Sequence, residues 1–261
     1  MGVTSLGFRT DVALRVLEGG EVADRGDYLV VRSPANPEFW WGNFVLMGAP
    51  PGPGTAGTWL ARFAAEFPAA RHVAFGVDTT DEPAAAPADF LAAGLEPQRA
   101  TVLTCTAIRP PPHPGTGAEI RPLESAADWR QSGDLGVRCY GDDGSPEYRD
   151  RRIAAPRQLT RTGRGAWFGA FRGGRLVAQL GVCDAGGGLA RYQDVETDPE
   201  FRRQGLAGTL VWRAGRYGHE VLGAGTLVIV ADPAEAAIRV YRACGFGDRE
   251  SQVSFERPPG E

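Results

Sequence analysis

The sequence predicts an α/β protein whose mixed central sheet is flanked by helices and is built twice in tandem. Three observations carry that expectation. Strand-like and helix-like segments alternate in the second half, with the later strands joined through helices. A segment rich in proline and glycine, Arg109–Ala118 (RPPPHPGTGA), divides the chain, because such a stretch enters neither a helix nor a central strand. The first half also echoes the order of the final section, as an internal repeat would. The expected division is a domain at 1–108, a linker at 109–118 and a second domain at 119–261.

The elements of the second half follow from pattern and punctuation. Glu119–Leu123 is expected to be a strand, and Ser125–Arg138 and Pro146–Arg161 helices, the latter with proline in its first turn. Ala166–Phe171 and Leu176–Asp184 flank Gly173-Gly174, a hairpin signal. Leu189–Glu196 is a further strand, followed by a helix from about Gly205 to Leu222. Thr226–Ala231 (TLVIVA) is apolar throughout, as a strand buried on both faces would be, and Ala234–Ala243 is helical. Gln252–Glu256 closes the domain as a strand. In the first half, Phe39–Met47, His72–Val77 and Ala100–Ala107 are strand-like, with helices over Trp59–Phe67 and ending at Asp89–Ala93. The two halves then read as diverged copies.

Composition narrows the partners. All 28 basic residues are arginine against 32 acidic ones, giving a formal charge of −4, so no broad basic field invites nucleic acid or an anionic membrane. Hydrophobic residues make up 43% of the chain, enough for a core in each half. Cys105, Cys139, Cys183 and Cys244 lack the spacing of a zinc site and the density of a disulfide framework. With no secretory or membrane-spanning pattern, a cytoplasmic location is expected. His72, His113 and His219 have no ligand partner at a useful spacing, so no metal is expected.

The chemistry is concentrated in Asp194–Leu210 (DVETDPEFRRQGLAGTL), where a strand ends, an acidic-proline turn follows and a glycine-containing loop opens an amphipathic helix. The first turn of a helix presents unpaired N–H groups and the positive end of the helix dipole, a natural cradle for a diphosphate. Gly205 and Ala207 keep that main chain bare, and Arg202 and Arg203 add cationic donors at its rim. Arg202-Arg203-Gln204-Gly205-Leu206-Ala207 resembles the R/Q-x-x-G-x-G/A signature of the GNAT N-acetyltransferase superfamily. Ala237–Phe246 (AIRVYRACGF) resembles the A-x-x-x-Y-x-x-x-G-F ending of that family's next helix. The resemblance covers about Glu119–Glu256.

The resemblance implies the GNAT acyl-CoA N-acyltransferase fold and acetyl-CoA as co-substrate, with direct transfer of acetyl to a primary amine of a small molecule or peptide. It implies a bulged strand before the loop, splayed from its parallel neighbour so that pantetheine inserts between them against the main chain of Val195 and Thr197. The diphosphate would lie against Arg202, Arg203, Gln204, Gly205, Leu206, Ala207, Gly208 and Thr209. Tyr241 matches the family tyrosine that protonates the departing thiolate. For the base, Asp194 and Glu196 stand at i and i+2 on one strand face, and either carboxylate, or a water held by it, could take the amine proton. One departure is Ala234, where many relatives carry asparagine. A non-catalytic acyl-CoA sensor or scaffold is the competing reading, and a homodimer is compatible with the sequence.

The first copy is expected to be degenerate and to wall the acceptor cleft of the second. Its phosphate-loop equivalent, Ala49–Thr55 (APPGPGT), contains three prolines, which lack N–H donors, and Phe90 takes the place of the tyrosine. Phe39-Trp40-Trp41 fits a core cluster, Arg149–Arg152 a solvated helix face and Cys244 a structural thiol. The acceptor would be selected around Trp129–Asp143.

Overall fold

The computed structural model describes residues 1–81, 85–114, 117–141 and 146–258. The chain forms two compact units. One gathers Met1–Val102, Val230–Pro233 and Asp248–Glu261, and the other gathers Leu103–Ile229 and Ala234–Gly247.

The first unit runs α1 (Leu6–Leu17), β1 (Glu21–Asp24), β2 (Tyr28–Arg32), a 3-10 turn (Trp40–Gly42), β3 (Phe44–Met47), α2 (Ala56–Glu66), β4 (Val73–Val77), α3 (Ala88–Ala92) and β5 (Glu96–Cys105). The last residues of β5, from Leu103, belong to the second unit. Strands β1, β2 and β3 are antiparallel, and β3 then runs parallel to β4. Helix α1 and the β1–β2 hairpin were not legible in the sequence. The helix start is held from a distance, with the Asp78 carboxylate accepting the Ser5 N–H at 2.8 Å. Phe39–Met47, expected as one strand, divides into the 3-10 turn and β3.

The last strand of the chain, β11 (Gly247–Arg257), lies antiparallel to β4, with Val253 opposite Val77 and Phe255 opposite Phe75. The sequence placed this strand in the C-terminal domain; residues from Asp248 onward instead cluster with the first unit. The cause is apolar. Val253 and Phe255 point into a buried group with Phe63, Phe75 and Phe90, where the Phe90 and Phe255 rings approach to 5.0 Å.

The second unit runs β6 (Glu119–Pro122), α4 (Ala126–Tyr140), α5 (Pro146–Arg161), β7 (Gly165–Arg172), β8 (Arg175–Gly186), β9 (Leu189–Thr197), α6 (Leu206–Glu220), β10 (Thr226–Ala231, of which Val230 and Ala231 belong to the first unit) and α7 (Ala237–Ala243). Its sheet order is β6-β7-β8-β9-β10, antiparallel up to β9 and parallel between β9 and β10. The pairing sequence of β1 through β4 is therefore repeated in β7 through β10.

Local chemistry fixes the helices. A capping box of Ser125 and Asp128 opens α4, and Arg121 grips the same Asp128 carboxylate through two nitrogens at 2.9 and 2.8 Å. Those contacts hold the Asp128 carboxyl below the usual carboxylate range. Helix α6 buries Leu206, Leu210, Val211 and Ala214 along one face. The beginning of the expected linker is packed rather than loose. Pro111 is buried, and a Cβ added to Gly208 of α6 would stand 2.9 Å from it. Linker positions 115 and 116 lie outside the described residues.

Candidate active site at the end of β9

The strand that leads into the loop is broken at one residue. Opposite β8, Gly181 pairs with Gln193 and Gln179 with Glu196, so Asp194 and Val195 together face the single residue Leu180. Asp194 takes φ 48°, in the left-handed region, and this bulge shifts the register. Pairing with β10 covers Leu189, Ala190 and Arg191, whereas β9 continues to Thr197. The strands therefore part after Arg191, leaving the β10-facing main chain of the second half of β9 without a strand ladder. Val195 and Thr197, expected to face pantetheine, lie in that stretch.

The turn after β9 is fastened by a buried carboxylate. Asp198 receives Arg138 Nε at 2.7 Å and Arg175 Nη2 at 2.8 Å, and its other oxygen accepts the Glu200 N–H. Burial opposes its charge, but these donors hold it below the ordinary aspartate value. From there the chain enters the loop with two left-handed residues, Arg203 at φ 61° and Gly205 at φ 75°. Gly205 is the residue just before α6, and no side chain caps the helix there. The amides of Leu206, Ala207 and Gly208 form the first turn, which has no acceptors within the helix. Arg202, Arg203 and Gln204 are exposed at its rim. Thr209 differs: its N–H and hydroxyl both donate to Gly205 O, at 3.1 and 3.0 Å, so it braces the loop from within.

The candidate bases lie on β9 and the candidate acid on α7, with Tyr140 of α4 near both. Glu196 is buried, with its side chain 1% exposed. One of its oxygens contacts Arg152 of α5 and the other accepts Gln179 Nε2 at 2.7 Å. Burial, followed by the charge of Asp194, pushes Glu196 up to about 7 against the opposing pull of Arg152 and Gln179. Asp194 itself is half-buried, and the bulge breaks the strict alternation assumed for the two carboxylates. Glu196 in turn acts on Cys139 of α4, whose thiol burial pushes up to about 11.

Tyr241 of α7 is 4% exposed, and its ring meets Phe246 edge-on. Burial raises its phenol well above the ordinary value, and the neighbouring Tyr140 adds to the rise. Tyr140 ends α4 and lies beneath the Arg152 guanidinium, 5.2 Å from its ring centroid. The sequence reading missed this pair. It assigned Arg149–Arg152 to solvent, whereas Arg149 pairs with Asp134 at 3.2 Å and Arg152 reaches Glu196. Of the segment expected to select the acceptor, Asp142 and Asp143 lie outside the described residues.

Cys244 is buried, with Sγ 3.7 Å from Gly208 O, in keeping with a structural thiol. Among the described residues, no three His, Cys, Asp or Glu side chains form a metal-sized cluster, and no helix is long and apolar enough to cross a membrane.

The first unit handles the equivalent positions differently. Strand β3 stays paired with β4 through Met47, and the Asp78 N–H donates to Met47 O at 2.8 Å, extending the ladder. At the mouth of α2, the Ala56 N–H donates to the Asp89 carboxylate at 2.8 Å. That bond and others from nearby amides hold the Asp89 carboxyl below its ordinary value. Phe90 is fully buried where the second unit has Tyr241.

Residues 123–246 match the model of the acetyltransferase (GNAT) family. Among solved structures, a GCN5-related N-acetyltransferase from Kribbella flavida is 18% identical with a TM-score of 0.67, covering 98% of each chain. A GCN5-related N-acetyltransferase from Sphaerobacter thermophilus is 18% identical with a TM-score of 0.63, covering 97% of this chain and 92% of its own. A tandem GNAT protein from the clavulanic acid biosynthesis pathway is 16% identical with a TM-score of 0.55, covering 95% and 88%. These likenesses extend over both units and show the fold. None of the curated proteins matches the chain.

Proposed function

We propose, on the premise that residues 123–246 form an acetyltransferase domain of the GNAT family, that the second unit moves the acetyl group of acetyl-CoA directly onto a primary amine of a small molecule or peptide. The observation that carries this reading is the sequence of bulge, parting strands and left-handed Gly205 that opens α6. A bare helix mouth at the end of a splayed strand suits a linear thioester with a diphosphate further along it. The residues present fit that group. The amides of Leu206, Ala207 and Gly208 would hold the diphosphate, Arg202, Arg203 and Gln204 would flank it, and the main chain of Val195 and Thr197 would face pantetheine.

The thioester supplies an already activated acyl group, so the chain needs to orient the amine, remove its proton and stabilise charge. Glu196 is the base we favour. A carboxylate raised to about 7 is a stronger proton acceptor than an ordinary glutamate and is still substantially ionised near neutral pH. Asp194 contributes by raising Glu196. Tyr241 acts as a hydrogen-bond donor toward the sulfur. Its raised affinity for its own proton disfavours complete transfer to a thiolate, whose conjugate acid lies near 8.5, and keeps the phenol protonated as a donor.

Release of thiol from acetyl-CoA, followed across a panel of amines, tests the reading. Amine-dependent release with an acetylated product supports transfer. Binding of acetyl-CoA without release on any amine favours the sensor instead.

A further inference from the structure

The base proposed above is held at both oxygens by residues outside the loop motif. Gln179 comes from β8 and Arg152 from α5, 44 positions before Glu196 in the chain. We propose that Arg152 is the positioning residue of the base: its guanidinium keeps the Glu196 carboxylate charged and aimed into the site, and gives up one oxygen to the arriving amine. The proposal rests on the assignment of Glu196 as base.

The two partners differ in their capacity to yield. Gln179 is 2% exposed, and its Nε2 also reaches Ser132 O at 3.4 Å, so it is fixed within the core. The Arg152 side chain is 22% exposed and lies over the Tyr140 ring, itself part of a residue 64% open to solvent. The partly solvated end of a long cation on an aromatic face has more room to shift than an amide enclosed in the core, so Arg152 is the partner that yields. Arg152 also provides the positive charge in direct contact with Glu196. Without a cation, a carboxylate so enclosed, with Asp194 on its own strand, would take up a proton and cease to be a base.

The surrounding groups do not replace this effect. On α4, Cys139 and Tyr140 face Glu196 with protons that the carboxylate itself helps retain. Arg138 engages Asp198, and Arg202 donates to Thr197 O at 3.3 Å. Gln179 donates a hydrogen bond and carries no charge.

The test follows the Glu196 side-chain carboxyl by carbon-13 NMR in the full chain, with Glu196→Gln identifying its signal. Arg152→Met keeps the aliphatic packing and removes the charge, and its midpoint is expected to rise by about one unit or more. Arg152→Lys restores a cation and returns the midpoint toward that of the unaltered protein. The low-pH limb of kcat/KM for the amine moves with the midpoint, while KM for acetyl-CoA stays unchanged. A midpoint unmoved in Arg152→Met, with the backbone spectrum native, overturns the proposal. Arg152→Gln carries the same expectation if the methionine variant does not fold. The NMR titration reports on Arg152 even if no amine is acetylated, so failure of the transferase reading is seen separately.

Discussion

The carboxylate of Asp89 accepts the backbone N–H of Ala56 at the mouth of α2, at 2.8 Å. The first unit thus supplies its own anion at the place where α6 of the second unit offers bare amides. Because the parallel strands there also remain zipped, the two helix mouths have opposite consequences despite the same order of strands around them.

One consequence concerns Gly205. Proline cannot adopt φ 75° and removes an amide, a cost of about 3 kcal/mol or more, so Gly205→Pro is expected to weaken acetyl-CoA binding by about a hundredfold or more. With the Ala56 amide at the α2 mouth already bonded to Asp89, no tight binding is expected to persist in the variant. Isothermal titration of the variant checks this, and wild-type affinity would remove the loop from the account.

Tyr241→Phe deletes the donor and keeps the ring that packs against Phe246. Turnover should fall by about a hundredfold while the dissociation constant for acetyl-CoA is preserved. Steady-state rates read beside equilibrium binding separate the two. An unchanged rate contradicts the role of the hydroxyl.

Glu196 gives a pH signature. As the proposed base Glu196 works when ionised, and with its carboxyl pushed up to about 7 by burial, kcat/KM for the amine is expected to rise with pH and level off above that value. Glu196→Gln should lower the rate by about a hundredfold or more and abolish this limb. A profile limited near 4.5 would show that a solvated carboxylate is responsible instead.

Asp198 is expected to act on acetyl-CoA binding through the turn it fastens before the loop. Asp198→Ala would leave Arg138 and Arg175 without their shared carboxylate and free the turn before the loop. The expected destabilisation is about 2 kcal/mol, moderated because both guanidiniums remain partly in water, accompanied by weaker acetyl-CoA binding. Denaturant unfolding and a binding titration of the same preparation check the two effects. Full affinity in a destabilised variant would show that the turn does not organise the loop.

The helix mouth was legible in the sequence because its chemistry is local: Asp198-Pro199, Gly205 and the apolar face of α6 lie within one short stretch. The order of β7 through β10 followed from the glycine turn and the apolar run of Thr226–Ala231 for the same reason. Arg152 escaped notice because on its own helix it stands in a charged run, and only the fold brings it to Glu196. The place of β11 was equally hidden, since Val253 and Phe255 suit any apolar sheet and the aromatic group around Phe75 selects this one. Helix α1 is anchored from far along the chain, by Asp78 on the Ser5 N–H just before it and by Glu250 on the Gly7 N–H of its first turn.

The central claim is that one unit alone, through the mouth of α6, takes up acetyl-CoA. Calorimetric titration of the whole chain with acetyl-CoA tests it most directly. The account predicts a single saturable site per chain; two equivalents per chain, or no binding at all, would contradict it.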